Sequence, residues 1–275
     1  KASTPIEVVD MGLRGFTRKI GILKDYNANF QCGQCHNAAN RYLTYKWLKD
    51  DKPVRPEDLQ KAGVSPYATE FFKDPLESWA WFKAKGWHQG VNGTTGVHYV
   101  NGSDHPHVEI MLQSKHGQAG VTCTDCHFAR KADGKAEHQP SLVKLKVENT
   151  CMRSACHGPG SKSNWTDPGQ ALYTIEAIQQ EYRIRVQKME MAAKDAQRIF
   201  MKLKAGEASL PQEVKEKLET AYEKYLSARD WYLTDLSSGF HDPEGFNRTV
   251  SVVTWELRKT NAAAQGALKK TPVKQ

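Results

Sequence analysis

The sequence predicts an all-α fold in two unlike parts, a first half of short helices and loops followed by long carboxy-terminal helices. Three observations predict it. A cysteine pair runs directly into a histidine three times, at Cys32-Gly-Gln-Cys35-His36, Cys123-Thr-Asp-Cys126-His127 and Cys151-Met-Arg-Ser-Ala-Cys156-His157. Beyond the last of these, apolar residues recur at spacings of three and four almost to the end of the chain. Between the motifs, β-branched runs of strand length are few.

The first two motifs are the C-x-x-C-H pattern of covalent haem attachment, and the third is the same device with a wider gap between the cysteines. Two thiols on a short turn can form thioethers with the two vinyl groups of one haem, and the next imidazole then lies under the iron as proximal ligand. The three motifs use all 6 cysteines. Structural zinc is a weaker reading, because a closed site needs four ligands and a histidine is poorly placed to join its adjacent cysteines on one tetrahedral ion. A disulfide framework gives no reason for the histidines. The expectation is three covalent haem c groups, tethered through Cys32, Cys35, Cys123, Cys126, Cys151 and Cys156, with His36, His127 and His157 as proximal ligands.

Composition agrees. A mean hydropathy of −0.66 and 39% hydrophobic residues make a thin core for 275 residues, a deficit that three apolar macrocycles would repair. The formal charge of +8 counts protein groups only, and a bis-imidazole ferric haem brings roughly −1. The lysines are spread along the helices, and no arginine-rich arm or aromatic-interleaved basic stripe appears, so nucleic acid is not an expected partner. No apolar run approaches the roughly 18 residues that a transmembrane helix needs. The first residues, Lys1-Ala-Ser-Thr-Pro5, lack the apolar core of a signal peptide. Haem attachment of this kind is normally completed outside the bacterial cytoplasm. A periplasmic or extracellular location is therefore expected, after loss of an export signal or of an amino-terminal portion.

In chain order, residues 1–165 form the expected three-haem region, with nine of the ten histidines and breakers such as Pro53, Pro56, Gly93, Gly96 and Gly102. Residues 166–268 form the helical region. Leu172, Ile175, Ile178, Tyr182, Val186, Met189, Ala193, Ala196, Phe200 and Leu203 lie on one stripe of a long amphipathic helix. Gly206 and Pro211 interrupt it, and Val214, Leu218, Ala221, Tyr225, Ala228 and Tyr232 make a second stripe. Ser237-Ser-Gly239 ends that helix, and Asp242-Pro243 supplies an N-cap and a first-turn proline for a third, roughly 243–262. Residues 269–275 read as a basic tail. Stripes of this length face each other, the haem region or a second subunit; ordinary helical packing is preferred over any cofactor role.

Three six-coordinate haems could use six imidazoles, three of them beyond the motifs; the remaining histidines are His88, His98, His105, His107, His116, His138 and His241. Here the chain resembles the carboxy-terminal half of the pentahaem, ammonia-forming cytochrome c nitrite reductases. The landmarks, in the same order, are Cys32–His36, His105-Pro106, His116-Gly117, Val121–His127, His138, the motif at 151–157, and Gly239-Phe-His241-Asp-Pro-Glu244 after the long helices. The resemblance implies His116 as distal ligand on the haem of His157, and His241 on that of His127. It implies that His138 serves a haem bound by an earlier motif, which this chain lacks, and that the distal ligand for the His36 haem comes from an amino-terminal segment. A haem-bearing partner chain, or a lost amino-terminal part, would complete both. The alternative is that His138 is a solvated loop residue and His88, His98, His105 or His107 caps the first haem internally.

Family catalysis takes place at a lysine-ligated haem, and no Cys-x-x-Cys-Lys occurs here. His105 matches the active-site histidine, but Asn37-Ala-Ala-Asn40 follows His36 where acidic and aromatic residues are expected. Gly102 and Asp104 stand where the family's calcium site has lysine and glutamine, so calcium is not expected. Nitrite reduction by this polypeptide alone is not expected. The favoured reading is an electron-transfer cytochrome acting with a redox partner protein. The alternatives are a subunit or fragment of a nitrite, hydroxylamine or sulfur-oxyanion reductase whose catalytic haem lies elsewhere, and a structural module whose helices dimerise.

Overall fold

The computed structural model describes residues 6–13, 16–23, 27–33, 36, 47–50, 52–55, 58, 61, 72–100, 105–128, 135 and 140–270. Cys35, Gly102, Asp104 and His138 lie outside them, as do residues 37–40. Helix dominates, and the fold class is all-α as expected.

The three long helices follow their stripes. Helix Pro168–Lys204 spans 37 residues, about 55 Å at 1.5 Å per residue. Asp167 caps it by accepting from the Gln170 amide at 3.2 Å, with Pro168 in the first turn. Helix Gln212–Leu233 returns antiparallel beside it, and Pro243–Lys270 follows. Arg185 donates to Ser251 Oγ at 3.1 Å, and Asn261 Nδ2 donates to the Ala192 carbonyl at 2.8 Å, so the first and third of these helices run parallel. Met189, Ala196, Phe200, Leu218, Ala228, Trp231, Val253 and Leu257 fill the space between them and are buried.

The third long helix runs to Lys270, eight residues beyond the predicted end near 262. Its stripe continues through buried Ala264 to Leu268, which packs on the core. The alanines of Asn261-Ala-Ala-Ala-Gln-Gly-Ala-Leu268 favour helix strongly enough to carry it past Gly266. Lys269 and Lys270 therefore belong to the helix, not to a tail.

A second departure lies at the start. Strands β1 (Ile6–Leu13) and β2 (Phe16–Leu23) form an antiparallel ribbon in register from Ile6↔Leu23 to Leu13↔Phe16. Val8, Val9, Thr17, Ile20 and Ile22 carry β-branched chemistry that suits strand. The remaining strands are two-residue pairings: β3 (Leu48–Lys49), β4 (Lys52–Pro53), β5 (Trp87–His88), β6 (Gly90–Val91) and β7 (His98–Tyr99).

Between the ribbon and the long helices lie α1 (Asn29–Gly33), α2 (Pro75–Ala84), α3 (His107–Gln113), α4 (Lys115–Gln118), α5 (Cys123–His127), a 3₁₀ segment (Pro140–Lys146) and α6 (Val147–Thr150). The long helices are α7, α8 and α9 in order. Helix α2 docks on α8 through Glu223, which is buried and takes Lys83 Nζ at 2.6 Å and Trp79 Nε1 at 3.3 Å. Trp47 stacks on Phe82 at 4.2 Å beneath this contact. A smaller core of Val147, Ala171 and Ile175, with Cys151, Met152 and Trp165 against it, joins the third cysteine motif to the start of α7.

Candidate haem centres

The second and third cysteine motifs are short turns whose backbone aims the histidine. On α5, Cys123, Cys126 and His127 occupy positions i, i+3 and i+4, which share one face of a helix. Thr122 and Asp125 close its first turn, with Asp125 Oδ2 accepting from the Thr122 amide and hydroxyl at 2.8 Å each. At the first motif, the His36 amide donates to the Cys32 carbonyl at 2.9 Å. The third motif has a wider gap yet makes the equivalent closure: the His157 amide donates to the Cys151 carbonyl at 3.0 Å. The extra residues form a loop, and the histidine returns beside its first cysteine. Trp165 stacks on the His157 ring at 4.3 Å.

The three motifs adjoin in sequence order, with α1 against α5 and α5 against α6. Two side-chain bridges join them. Asn29, fully buried, accepts from the Cys123 amide at 2.7 Å, tying the first motif to the second. Arg153, inside the enlarged third motif, donates to Asp125 Oδ1 at 3.2 Å and lies 3.8 Å from Cys156 Sγ. Burial pushes the Cys123 thiol up to about 12, helped by the neighbouring Cys32 thiol, and burial raises Cys126 to about 11. Among the described residues, no three of His, Cys, Asp and Glu converge so as to hold a metal ion by themselves.

The histidines fall into two groups. His116, on α4, stands 6.0 Å from His157 between ring centroids. Ser114 caps α4 by accepting from the Gly117 amide at 3.0 Å. A Cβ at Gly117 would sit 2.0 Å from the Met111 carbonyl oxygen, and one at Gly158 would sit 1.9 Å from that of Met152. Both histidines are thus followed by a residue that must be glycine for the backbone to pass. The second group is a chain of rings: His127 lies 6.1 Å from His241, His241 5.7 Å from His107, and His107 5.3 Å from His36. His105, exposed and held at a φ of 60°, lies 5.7 Å from His36. His88 and His98 instead stack on each other at 4.4 Å on the β5 and β7 pairings.

These distances test the fit to haem. Two imidazoles on opposite sides of one metal, with metal–nitrogen bonds of about 2 Å, place their ring centroids about 6 Å apart. The pairs His116/His157 and His127/His241 have that separation. Burial lowers His36, His116 and His157, and burial with the His241 ring beside it brings His107 to about 4. Neutral imidazoles with free lone pairs are what a metal ligand requires. The residues present fit a covalently tethered bis-imidazole haem.

Several neighbours had no signal in the sequence. His107, one of the four alternatives for the first haem, adjoins the first motif through the backbone, the Val108 amide donating to the His36 carbonyl at 3.1 Å. Asp235, with 1% of its side chain exposed, puts Oδ1 3.3 Å from His241 Nδ1. Burial opposes its ionisation, but His241, Ser237 and the Gly239 amide outweigh this and bring the carboxyl down to about 2. Lys115 pairs with Glu244, joining the helix of His116 to the one that follows His241.

Cysteine pairs each delivering a histidine beside a second imidazole define a class, the c-type cytochromes, which hold haem covalently. The chain belongs to the cytochrome c552 family, whose sequence profile matches residues 27–275. The β1–β2 ribbon precedes that match. Cytochrome c-552 of Bacteroides thetaiotaomicron is 28% identical over 138 residues, covering 46% of this chain and 22% of the relative. Cytochrome c nitrite reductase subunit NrfA of Nitratidesulfovibrio vulgaris is 23% identical over 223 residues, covering 77% of this chain and 40% of the relative. The chain therefore spans less than half the length of either. Among solved structures, the catalytic subunit of the Desulfovibrio desulfuricans cytochrome c nitrite reductase superposes with a TM-score of 0.59 at 18% identity, over 88% of this chain and 48% of that one. Its fold is shared. Among the described residues, no helix is long and apolar enough to cross a membrane.

Proposed function

We propose that the chain is a three-haem electron-transfer cytochrome whose cofactors are tethered by Cys32/Cys35, Cys123/Cys126 and Cys151/Cys156. His36, His127 and His157 are the proximal ligands, with His116 opposite His157 and His241 opposite His127. The observation that carries this reading is the pair of imidazole separations of 6.0 and 6.1 Å beside motifs that pack in series. Haem iron supplies a one-electron carrier. The side chains do the rest: two imidazoles fill both axial positions and exclude substrate, while Asn29 and the Arg153–Asp125 pair fix the order of the motifs. Close spacing of that kind suits electron tunnelling along the row, with a redox partner protein at either end.

The proposed division is a haem-binding region over 1–165 and a helical region beyond it. Met191 on α7 and Trp255 on α9, each 60% exposed, support contact with a second copy. A periplasmic or extracellular location follows from where covalent attachment is completed.

A second reading has a specific support: the similar nitrite reductase subunits are longer chains, of which this one spans part. In that reading the chain is a subunit or fragment of a reductase for nitrite, hydroxylamine or a sulfur oxyanion. The sixth position opposite His36 is then open or capped from a haem-bearing partner, and His138 serves that partner's haem. Intact mass of the native protein counts haems, and optical and EPR spectra count low-spin centres. Three haems, all low-spin and unmoved by nitrite, cyanide or hydroxylamine, are expected. A high-spin centre that turns over nitrite with reduced viologen would replace the first reading by the second. A mass equal to bare polypeptide would remove both.

A further inference from the structure

The environment behind His241 differs from that behind His157 in a way that bears on the driving force between centres. The Asp235 carboxylate, just past the end of α8, is held by three donors: the Ser237 hydroxyl at 2.8 Å, the Gly239 amide at 2.9 Å and the Ser237 amide at 3.1 Å. Ser237 Oγ in turn accepts from the His241 amide at 3.0 Å. One tight loop therefore carries both the acid and the imidazole, with Oδ1 facing Nδ1 at 3.3 Å. Histidine χ2 is broad, so bringing that nitrogen into line needs only a small ring rotation. His107, Asp242, Tyr182 and Tyr232 are titratable groups that also face this carboxylate. Behind His157 stands the indole of Trp165, and His157 Nδ1 has no partner among the described residues.

A metal-bound imidazole normally donates its second N–H outward, and a carboxylate acceptor raises its basicity. We propose that Asp235 is a positioning residue that strengthens His241 as a ligand and lowers the reduction potential of the His127–His241 centre. The inference rests on the axial assignment of His241 above. A more basic imidazole and a fixed buried negative charge both stabilise the ferric state, so the two effects share a sign. The Trp165-backed His116–His157 centre receives neither. Between these two centres, an electron at equilibrium therefore favours the His116–His157 centre.

The test uses the full holo-chain, with haem content measured first by intact mass and then potentials by spectroelectrochemical titration with EPR. In Asp235→Asn, haem content stays the same and one transition moves up. The expected size is about a tenfold gain in its reduction equilibrium, or about 59 mV for one electron. Asp235→Glu restores most of the shift. His241→Ala identifies the transition, since it turns that same centre high-spin. Ser237→Ala keeps the charge but strips one competing donor from the carboxylate, and it moves the same transition down. This variant serves where the asparagine chain fails to fold. Full haem content with the transition unmoved in both Asp235→Asn and Ser237→Ala overturns the proposal. Three low-spin centres retained in His241→Ala would instead sink the axial assignment on which it rests.

Discussion

Replacing His116 by alanine isolates one centre. Its ring stands 6.0 Å from that of His157, the separation of two ligands sharing one metal through bonds of about 2 Å. The substitution removes an imidazole from the short helix α4 and leaves the Ser114 cap and Gly117 passage in place. One coordination position opens, on one of three centres. About a third of the haem should therefore become high-spin, with one cyanide bound per chain. Added imidazole, which matches the missing ring in size and chemistry, should return that third to low-spin. The assay is EPR and optical spectroscopy on protein whose haem content has been measured. His88→Ala is the control, because His88 stacks on His98 rather than on a motif histidine. A fully loaded His116→Ala chain without high-spin signal would refute the pairing, and conversion of more than one centre would show that the rings are shared differently.

Leu257→Ala, at a position fully buried between the long helices, should cost about 2–5 kcal/mol in denaturant unfolding; a loss under half a kcal/mol would mean that α9 is loosely packed. Asn29→Ala removes the acceptor for the Cys123 amide and should cost about 1–3 kcal/mol, with altered magnetic coupling between the first two centres in EPR. No change in either quantity would break the link between the motifs. Lys83→Ala strands the buried Glu223 carboxylate, whose side chain is 4% exposed, while the lysine is 45% exposed. Breaking such a pair from the exposed side should cost more than Glu223→Gln, by roughly 1–2 kcal/mol after allowance for solvent; equal losses in thermal melts would contradict that asymmetry.

Local chemistry was legible and long-range pairing was not. The cysteine motifs announce themselves because two thiols and an imidazole must lie within one turn, and the stripe from Leu172 to Leu203 because helical period and burial coincide. The end of α9 lies past the expected 262 because buried Ala264 and partly buried Leu268 keep the helix packed beyond the charged and polar residues around them. The β1–β2 ribbon is held by cross-strand register, which leaves no mark in a helical period. At the site, the resemblance named His116 and His241. Asn29 and Asp235 carry no motif: Asn29 meets its partner 94 positions away, and Asp235 gains meaning only when the turn after α8 folds it onto His241.

The Asn29–Cys123 bridge has a bearing on how the protein is made. Once it closes, the half-buried Cys123 thiol sits beside the half-buried Cys32 thiol, where an oxidant would cross-link the two. Ligation on an open chain, before the motifs meet, avoids that cross-link. Apoprotein folded under oxidising conditions should accumulate a Cys32–Cys123 disulfide, visible by peptide mapping, and should be refractory to later loading.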